Sequence, residues 1–296
     1  MRLVDLGHSY AMARLACLAV LAAGLSLASQ AQEKVQFPSL DRWQGSDRLV
    51  IDGYLYKPAT EGRFVSLVMF HGCAGALGTN GRITQRFRDT AKLLNGMGYG
   101  VLLVDSFNPR GEWQICTVTP KARAIQEEQR WLDAYGAIEY LNTRPDVVPG
   151  KIGAIGFSHG GTAAVQVMNA ELPVRKQGAP GFAAAVAMYP GCASTLSGKP
   201  DYVAYAPLLI LAGELDDWTP ARYCQKLAER SKGRGEPVDI EIYPDSYHGF
   251  DELSPVKVRE DVIRSGKPVH VGGNPAARVA AHQKIREFFA KHLPAH

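Results

Sequence analysis

The chain has 296 residues, 46% of them hydrophobic and 21% charged, and carries a formal net charge of +4 at neutral pH. This length suits one folded domain with a large core, and so small a charge gives no support for a nucleic-acid partner. Arg82, Arg86 and Arg88 come nearest to a basic cluster, but their spacing is typical of the solvated face of a helix.

Residues 1–31 have the pattern of a secretory signal that is removed after export. Arg14 precedes an apolar stretch over residues 15–27, which is too short for a comfortable membrane span. Ser29 and Ala31 then offer small side chains at both cleavage positions. We therefore predict a signal peptide over residues 1–31, a single domain over residues 32–296, and a secreted or periplasmic protein without stable membrane insertion.

Beyond this leader, apolar runs of strand length alternate with longer amphipathic stretches. Such alternation predicts an α/β fold with a doubly wound, mostly parallel sheet flanked by helices and joined by right-handed crossovers. Active-site residues of such sheets lie at the carboxyl ends of the strands. In chain order we predict strands over residues 48–56, 64–70, 99–105, 151–155, 182–189, 207–212 and 238–243, and helices over residues 85–94, 121–142, 161–165, 220–231 and 276–292.

A serine lies between the strand at residues 151–155 and the helix that follows it, within the pentapeptide Gly-Phe-Ser-His-Gly. A serine on a sharp strand-to-helix turn stands clear of the sheet, and the flanking glycines allow the backbone to cross closely. Ser158 is therefore a candidate nucleophile. A glycine-rich turn without catalytic function is the alternative, because such pentapeptides also occur by chance.

An acid and a histidine follow this serine in the chain order that α/β-hydrolases use. Asp216 comes after the strand at residues 207–212, and His248 comes after the strand at residues 238–243. His248 would take the proton of Ser158, and Asp216 would fix the imidazole tautomer. Asp217 is the competing acid, which we expect instead to cap the following helix.

An acyl-transfer site also needs hydrogen-bond donors for the oxyanion. In this fold they come from the residue after the nucleophile and from the loop after an early strand. The candidates are the backbone N–H groups of His159 and Cys73. We expect the ring of His71 to pack beneath that loop, since no second ligand lies at metal spacing. The sequence contains no phosphate-binding loop and no metal motif, so we predict neither a cofactor nor a metal.

Four cysteines lie outside the predicted leader: Cys73, Cys116, Cys192 and Cys224. Export to an oxidising compartment favours disulfide bonds, and four cysteines allow three pairings. We favour Cys73 with Cys116, because both follow neighbouring strands at the active-site end of the sheet, and hence Cys192 with Cys224. Buried free thiols are the alternative.

The elbow around Ser158, the segment from Gly213 to Pro220 and the Tyr-His-Gly-Phe segment around His248 together resemble the dienelactone hydrolase family of α/β-hydrolases. The resemblance covers the chain from about residue 50 to the last helix. The founding enzymes of that family carry a cysteine nucleophile, with a glutamate at the position of Gly72. The serine in this chain implies a serine-based branch whose substrate is not dienelactone itself.

Two loops should shape a substrate pocket. Arg110 follows the strand at residues 99–105, and the resemblance implies an arginine in this loop that binds a substrate carboxylate, although a structural salt bridge is the alternative. Residues 251–275 form either a lid or a surface insertion.

The function expected from these features is hydrolysis of a small carboxylic ester through a Ser–His–Asp triad and an acyl-enzyme intermediate. A peptidase of the prolyl-oligopeptidase type is one alternative, although the chain is too short to carry a propeller domain as well. A ligand-binding protein that keeps the fold without turnover is the other. The expected partner is a small-molecule ester, with no nucleic acid.

Overall fold

The computed structural model describes residues 32–45 and 47–295, so the predicted leader lies outside the described residues. Most of the strands belong to one sheet, and two form a separate hairpin. In chain order they are β1 (Glu33–Pro38), β2 (Val50–Tyr56), β3 (Phe64–Phe70), β4 (Gly100–Asp105), β5 (Val147–Phe157), β6 (Ala185–Met188), β7 (Leu208–Gly213), β8 (Val238–Tyr243), β9 (Lys257–Arg264) and β10 (Lys267–Val271).

The helices occupy the connections between these strands. They are α1 (Gln85–Asn95), α2 (Glu127–Thr143), α3 (His159–Gln166), α4 (Pro173–Lys176), α5 (Ala193–Ser197), α6 (Ala221–Gly233) and α7 (Pro275–His292). Within the described part of the chain, no helix combines the length and apolarity needed to cross a membrane.

The strand order in the large sheet is β1-β2-β4-β3-β5-β6-β7-β8. β2 pairs antiparallel with β1 and with β4, and the remaining neighbours pair in parallel. The mostly parallel sheet predicted from the sequence is therefore confirmed. Because Phe70 lies opposite Val104 and Gly156 in the register, the loops after β3, β4 and β5 leave the same edge of the sheet.

Helices cover both faces of the sheet, so its central strands are buried throughout. Every residue of β3 and β4 is buried. Alternate side chains of β3 enter opposite layers: Val68 packs with residues of α2 and α3, and Met69 packs with residues of α1 and α7. Each fully buried side chain of this size contributes about 1.5–3 kcal/mol by leaving water, so the parallel core fixes the loops at its carboxyl edge.

Some boundaries differ from the prediction. β1 was not predicted, because it is a short edge strand in which only Val35 and Phe37 are buried. α2 begins at Glu127 rather than at residue 121, because the side chains of Gln126 and Gln129 form a reciprocal capping box there. The hairpin β9–β10 occupies most of the segment that was expected to be a loop.

Candidate active site

Ser158 lies on the sharp turn between β5 and α3, in a conformation that few residues adopt. Its φ of 54° and ψ of −118° cost about 1–3 kcal/mol, which the surrounding structure must offset. A Cβ on Gly156 would lie 1.9 Å from the carbonyl oxygen of Gly160, and a Cβ on Gly160 would lie 2.3 Å from that of Phe70. Glycine is therefore required at both positions by the close crossing of backbone that the sequence predicted.

The structure brings Ser158, His248 and Asp216 together in one line of contacts. The Oγ of Ser158 lies 2.8 Å from Nε2 of His248, and Nδ1 of His248 lies 2.8 Å from Oδ2 of Asp216. The imidazole is 3% exposed and the aspartate 4%. A carboxylate accepts only, so the Nδ1 proton faces Asp216 and leaves Nε2 free to accept from the serine hydroxyl.

Asp216 is held by the backbone of its own loop. Its Oδ1 accepts hydrogen bonds from the N–H groups of Trp218 at 2.9 Å and Thr219 at 2.7 Å. The hydroxyl of Thr219 lies 2.9 Å from Oδ2 of Asp216 and 3.0 Å from Nδ1 of His248. Sequence reasoning missed Thr219, although its position three residues after the acid could have drawn attention to it.

Asp217 points away from this line of contacts and does not cap a helix, so that prediction was wrong. α6 begins at Ala221, with Pro220 before it. The carboxylate of Asp217 instead accepts from the backbone N–H of His270 at 2.9 Å and contacts its Nδ1 at 2.7 Å. Asp217 therefore fastens the hairpin β9–β10 to the loop that carries Asp216.

The two residues that we expect to supply the oxyanion donors, Cys73 and His159, line the cavity at Ser158. A Cβ on Gly72 would lie 3.4 Å from Cβ of Ser158, so the loop after β3 passes directly next to the serine. His159 is the first residue of α3, and the first N–H groups of a helix have no acceptor within it.

His71 is buried beneath this loop, as expected from the sequence. Its Nδ1–H donates to the carbonyl oxygen of Gly72 at 2.8 Å, and its Nε2 accepts from the N–H of Ser106 at 3.2 Å. Burial, together with the nearby charge of Arg130, holds the pKa of His71 well below its usual value. The neutral ring thus supports the loop from below.

Because His71 is buried in its neutral form, we predict that the free energy of unfolding decreases in mild acid. Only the unfolded chain binds a proton at His71 below about pH 6.5, so the free energy of unfolding should fall by about 1.4 kcal/mol per pH unit from this group. Urea denaturation at pH 7.5 and 5.5 measures the effect, which should total about 1.4 kcal/mol over this interval because half of it lies above pH 6.5. His71→Asn should have a shallower slope than the wild type, and equal slopes would contradict the prediction.

A cavity of about 260 Å³ opens at Ser158. Larger cavities of about 330, 450 and 580 Å³ lie elsewhere, but the serine is not among the lining residues of any of them. Because it contains the candidate nucleophile, we take the cavity of about 260 Å³ as the candidate substrate cavity. Besides the serine and the oxyanion candidates, its lining includes Trp218, Thr219, Arg123, Arg264 and Glu127.

Arg110 does not reach this cavity, so the prediction that it binds a substrate carboxylate was wrong. Its guanidinium donates to both carboxylate oxygens of Asp133 at 2.8 Å, to Asp41 at 2.7 and 3.2 Å, and to the carbonyl oxygen of Ser106 at 2.7 Å. All five N–H groups of the arginine are thereby used. Its side chain is 0% exposed. The alternative of a structural salt bridge is the correct one.

Two disulfide bonds connect the loops of the site, in the pairing favoured from the sequence. Cys73 is bonded to Cys116, and Cys192 is bonded to Cys224. The first joins the loop after β3 to the segment before α2. The second joins the start of α5 to α6.

The hairpin β9–β10 forms a wall of the site. Its Val262 and Val269 are each 1% exposed and pack in a cluster with both cysteines of the first disulfide. The Trp218 ring lies 4.8 Å from the ring of His248, and the guanidinium of Arg264 lies 5.9 Å from the Trp218 ring. The segment 251–275 therefore contributes one side chain, that of Arg264, to the cavity lining, from a packed hairpin. Among the residues that the structure describes, no group of His, Cys, Asp or Glu is arranged to hold a metal.

The sheet, the elbow and the three aligned side chains define an α/β-hydrolase. The model of the dienelactone hydrolase family matches residues 51–293. The chain belongs to the dienelactone hydrolase family, and it is a hydrolase that acts on ester bonds.

Three relatives illustrate this similarity. A curated Bradyrhizobium protein named "Probable 2-oxo-3-(5-oxofuran-2-ylidene)propanoate lactonase" is 25% identical over 217 residues, which cover 70% of this chain and 81% of the relative. A dienelactone hydrolase-like promiscuous phosphotriesterase from metagenomic libraries has a TM-score of 0.63 at 17% identity, covering 88% of this chain and 98% of that one. A thermophilic esterase from Thermogutta terrifontis has a TM-score of 0.57 at 18% identity, covering 86% and 91%. At these identities the two structures show the shared fold.

Proposed function

We propose that the protein is a serine hydrolase that cleaves carboxylic esters of small molecules through an acyl-enzyme intermediate on Ser158. The observation that carries this proposal is the pair of 2.8 Å contacts from Ser158 to His248 and from His248 to Asp216. Family membership supports the ester bond as the target. The backbone N–H groups of Cys73 and His159 would supply the remaining requirement, hydrogen-bond donors for the developing oxyanion.

In the first half-reaction, Oγ of Ser158 attacks the ester carbonyl carbon while its proton moves to Nε2 of His248. The carbonyl oxygen becomes an oxyanion, which accepts hydrogen bonds from the N–H groups of Cys73 and His159. Asp216 stabilises the imidazolium without taking its proton. When the tetrahedral intermediate collapses, His248 gives the proton to the departing alkoxide, and the alcohol leaves.

The second half-reaction repeats these steps with water. Nε2 of His248 takes a proton from a water molecule, whose oxygen attacks the acyl carbon bonded to Ser158. Collapse of the second tetrahedral intermediate breaks the bond to Oγ, which recovers its proton from His248. The products are a carboxylic acid and the free enzyme. Besides the ester and one water molecule, these steps use the side chains and backbone of this chain.

The expected compartment is extracellular or periplasmic. The leader pattern at residues 1–31 and the two disulfides support export, because disulfides persist in oxidising compartments. The name of the Bradyrhizobium relative refers to a lactone. A lactone is an internal ester, so the same chemistry would open its ring.

Thr219 should support this chemistry by keeping the carboxylate of Asp216 and the imidazole of His248 aligned. Thr219→Val keeps the shape of the side chain and removes the hydroxyl that contacts Asp216 and His248. A hydrogen bond to a charged group contributes about 1.5–3 kcal/mol, so we expect kcat to fall about 10- to 100-fold with little change in KM. Thr219→Ser keeps the hydroxyl and should stay near the wild type. A valine variant with full kcat would contradict this role.

The proposed function is tested with a fluorophosphonate probe and a series of short-chain esters on the oxidised protein. We expect the probe to form a covalent bond with Ser158 and ester hydrolysis to stop as labelling proceeds. Peptide mass spectrometry identifies the labelled residue. A folded, oxidised protein that neither reacts with the probe nor turns over any ester would contradict the proposal.

A further inference from the structure

Tyr189, which directly follows β6, has an unusual backbone conformation. Its φ is 37°, although its side chain is bulky and only 1% exposed. A positive φ is costly for a bulky residue, and few of them adopt it. Such strain persists only where the surrounding structure holds it, and it is concentrated at functional sites. The contacts of Tyr189 therefore indicate what this conformation serves.

The ring of Tyr189 packs against the imidazole of His248. Their centroids are 4.8 Å apart, and the two ring planes are inclined at 66°. The carbonyl oxygen of Tyr189 lies 3.1 Å from the hydroxyl of Thr219, which also contacts Asp216. The N–H of Tyr189 donates to the carbonyl oxygen of Leu211 in β7 at 2.7 Å. Tyr189 is therefore anchored to the sheet and touches the imidazole directly.

The hydroxyl of Tyr189 donates to a buried carboxylate that the proposed mechanism does not use. It lies 2.8 Å from Oδ1 of Asp251, whose side chain is 5% exposed. Burial holds the pKa of Tyr189 well above its usual value, so the phenol keeps the proton that it donates. A buried carboxylate requires hydrogen bonds and an opposite charge. Tyr189 supplies one of these hydrogen bonds.

Arg86 supplies the opposite charge to Asp251. Its Nε lies 3.4 Å from Oδ2 of Asp251, and its Nη2 pairs with Oε1 of Glu252. Although burial acts against it, the two carboxylates raise the pKa of Arg86. Its side chain is only 24% exposed, so it does not lie on the solvated helix face that its spacing predicted. A line of contacts thus runs from Arg86 through Asp251 and Tyr189 to His248.

This line of contacts holds the loop that carries His248 at two points. Asp251 lies three residues after His248, and the ring of Phe250 between them is 0% exposed and lies 5.5 Å from that of Tyr189. The lining of the candidate substrate cavity includes none of Arg86, Asp251 and Tyr189, and the first two line a separate cavity of about 330 Å³. These residues can therefore affect the reaction through the imidazole without touching the substrate.

We propose that a network of three positioning residues, Tyr189, Asp251 and Arg86, fixes the orientation of the imidazole during ester hydrolysis. Tyr189 contacts the imidazole, Asp251 holds the hydroxyl of Tyr189, and Arg86 holds Asp251. The imidazole must stay within hydrogen-bonding distance of Ser158 while it takes and returns a proton. A misplacement of about 1 Å can lower a rate by about 100-fold. This inference rests on the proposed function.

Tyr189→Phe tests the network, because it keeps the ring and removes only the hydroxyl that donates to Asp251. We expect kcat for short-chain esters to fall about tenfold, as for the loss of a hydrogen bond to a charged group, with KM unchanged. The rate of labelling by fluorophosphonate should fall by the same factor, because that reaction also requires His248 to take the proton of Ser158. A rise in KM with unchanged kcat would assign Tyr189 to substrate binding and overturn the proposal.

Tyr99→Phe is the matched control. Tyr99 is also 1% exposed, and its hydroxyl donates to the carbonyl oxygen of Leu293 at 2.7 Å. It precedes β4, at the opposite edge of the sheet from Ser158. Both variants lose one buried hydrogen bond, so their thermal unfolding midpoints should fall by similar amounts, but only Tyr189→Phe should also lose kcat. An equal loss of kcat in both variants would reveal a general effect of stability and overturn the proposal.

Two further variants test whether the three residues act together. Asp251→Ala should lower kcat by about tenfold and Arg86→Gln by a few-fold. Neither should lower kcat further in combination with Tyr189→Phe, because the effects of residues in one network are not additive. Arg82→Gln, the control for Arg86, changes an exposed arginine and should keep kcat. Losses that multiply in the double variants would overturn the network. Should Tyr189→Phe fail to fold, unchanged kcat in Arg86→Gln would overturn it as well.

A crystal structure of Tyr189→Phe gives a readout that does not depend on turnover. We expect Oγ of Ser158 to lie farther from Nε2 of His248 than the present 2.8 Å, and an imidazole that keeps its place would overturn the proposal. An active wild type with an equally active Tyr189→Phe variant refutes only this inference. A wild type that reacts with neither fluorophosphonate nor esters refutes the proposed function instead, while the crystal structure still decides whether the network holds the imidazole.

Discussion

Ser158→Ala is expected to lower kcat for ester hydrolysis by about 10⁴- to 10⁶-fold, the range seen when a serine nucleophile is removed. Oγ of Ser158 lies 2.8 Å from Nε2 of His248, so Ser158→Ala removes the nucleophile that the imidazole would activate. Initial rates on short-chain esters measure the effect. Labelling by the fluorophosphonate probe should disappear together with turnover.

Two controls separate loss of chemistry from loss of structure. Alanine tolerates the positive φ of this position no worse than serine does, so the thermal unfolding midpoint should stay close to that of the wild type. Ser197→Ala removes an exposed serine hydroxyl on α5 and should keep both labelling and turnover. Undiminished hydrolysis in a folded Ser158→Ala variant would end the proposed mechanism.

Asp216→Asn is expected to lower kcat by about 10⁴-fold through the imidazole tautomer. Oδ1 of Asp216 accepts two backbone N–H groups, from Trp218 and Thr219. The amide oxygen of an asparagine would take that place, so its NH₂ group would face Nδ1 of His248. The imidazole would then carry its proton on Nε2, where it cannot accept the proton of Ser158.

Asp217→Asn is the matched control, since the same change is made one residue away. This carboxylate contacts His270, and both side chains are 38% exposed. Partly exposed pairs of this kind contribute about 0–1 kcal/mol, so the rate should change only a few-fold. A large loss in Asp217→Asn with little change in Asp216→Asn would show that the acid has been wrongly assigned. Measuring kcat of both variants on one ester identifies which aspartate is the acid of the triad.

The sequence predicted the central sheet well. Its parallel strands are buried on both faces, so each of them appears in the sequence as a continuous apolar run. The edge strand β1 and the hairpin β9–β10 escaped prediction for the opposite reason. In β1 only Val35 and Phe37 are buried, and in β9 only Val262, so each strand has too few apolar residues to mark it in the sequence. The start of α2 was placed too early because apolar periodicity does not reveal a capping box.

Arg110, Arg123 and Arg264 show what the sequence motifs could not predict. The loop of Arg110 was correctly placed at the carboxyl edge, but Asp41 and Asp133 come from distant segments and accept from four of the five N–H groups of its guanidinium, and the carbonyl oxygen of Ser106 accepts from the fifth. Arg123 and Arg264 carry no motif at all. Whether an arginine is paired or available depends on its neighbours in space, and one sequence does not contain that information.

The sequence by itself determined the fold class, the order of the serine, acid and histidine, and the close crossing of backbone around Ser158. These follow from periodicity, chain order and glycine spacing, which are local properties. Only the tertiary structure decided that Asp216 rather than Asp217 contacts His248, that Arg110 is structural, and that a hairpin brings Arg264 to the cavity. Charges and hydrogen bonds act over a few ångströms in space, so their partners are set by packing between segments that lie far apart along the chain.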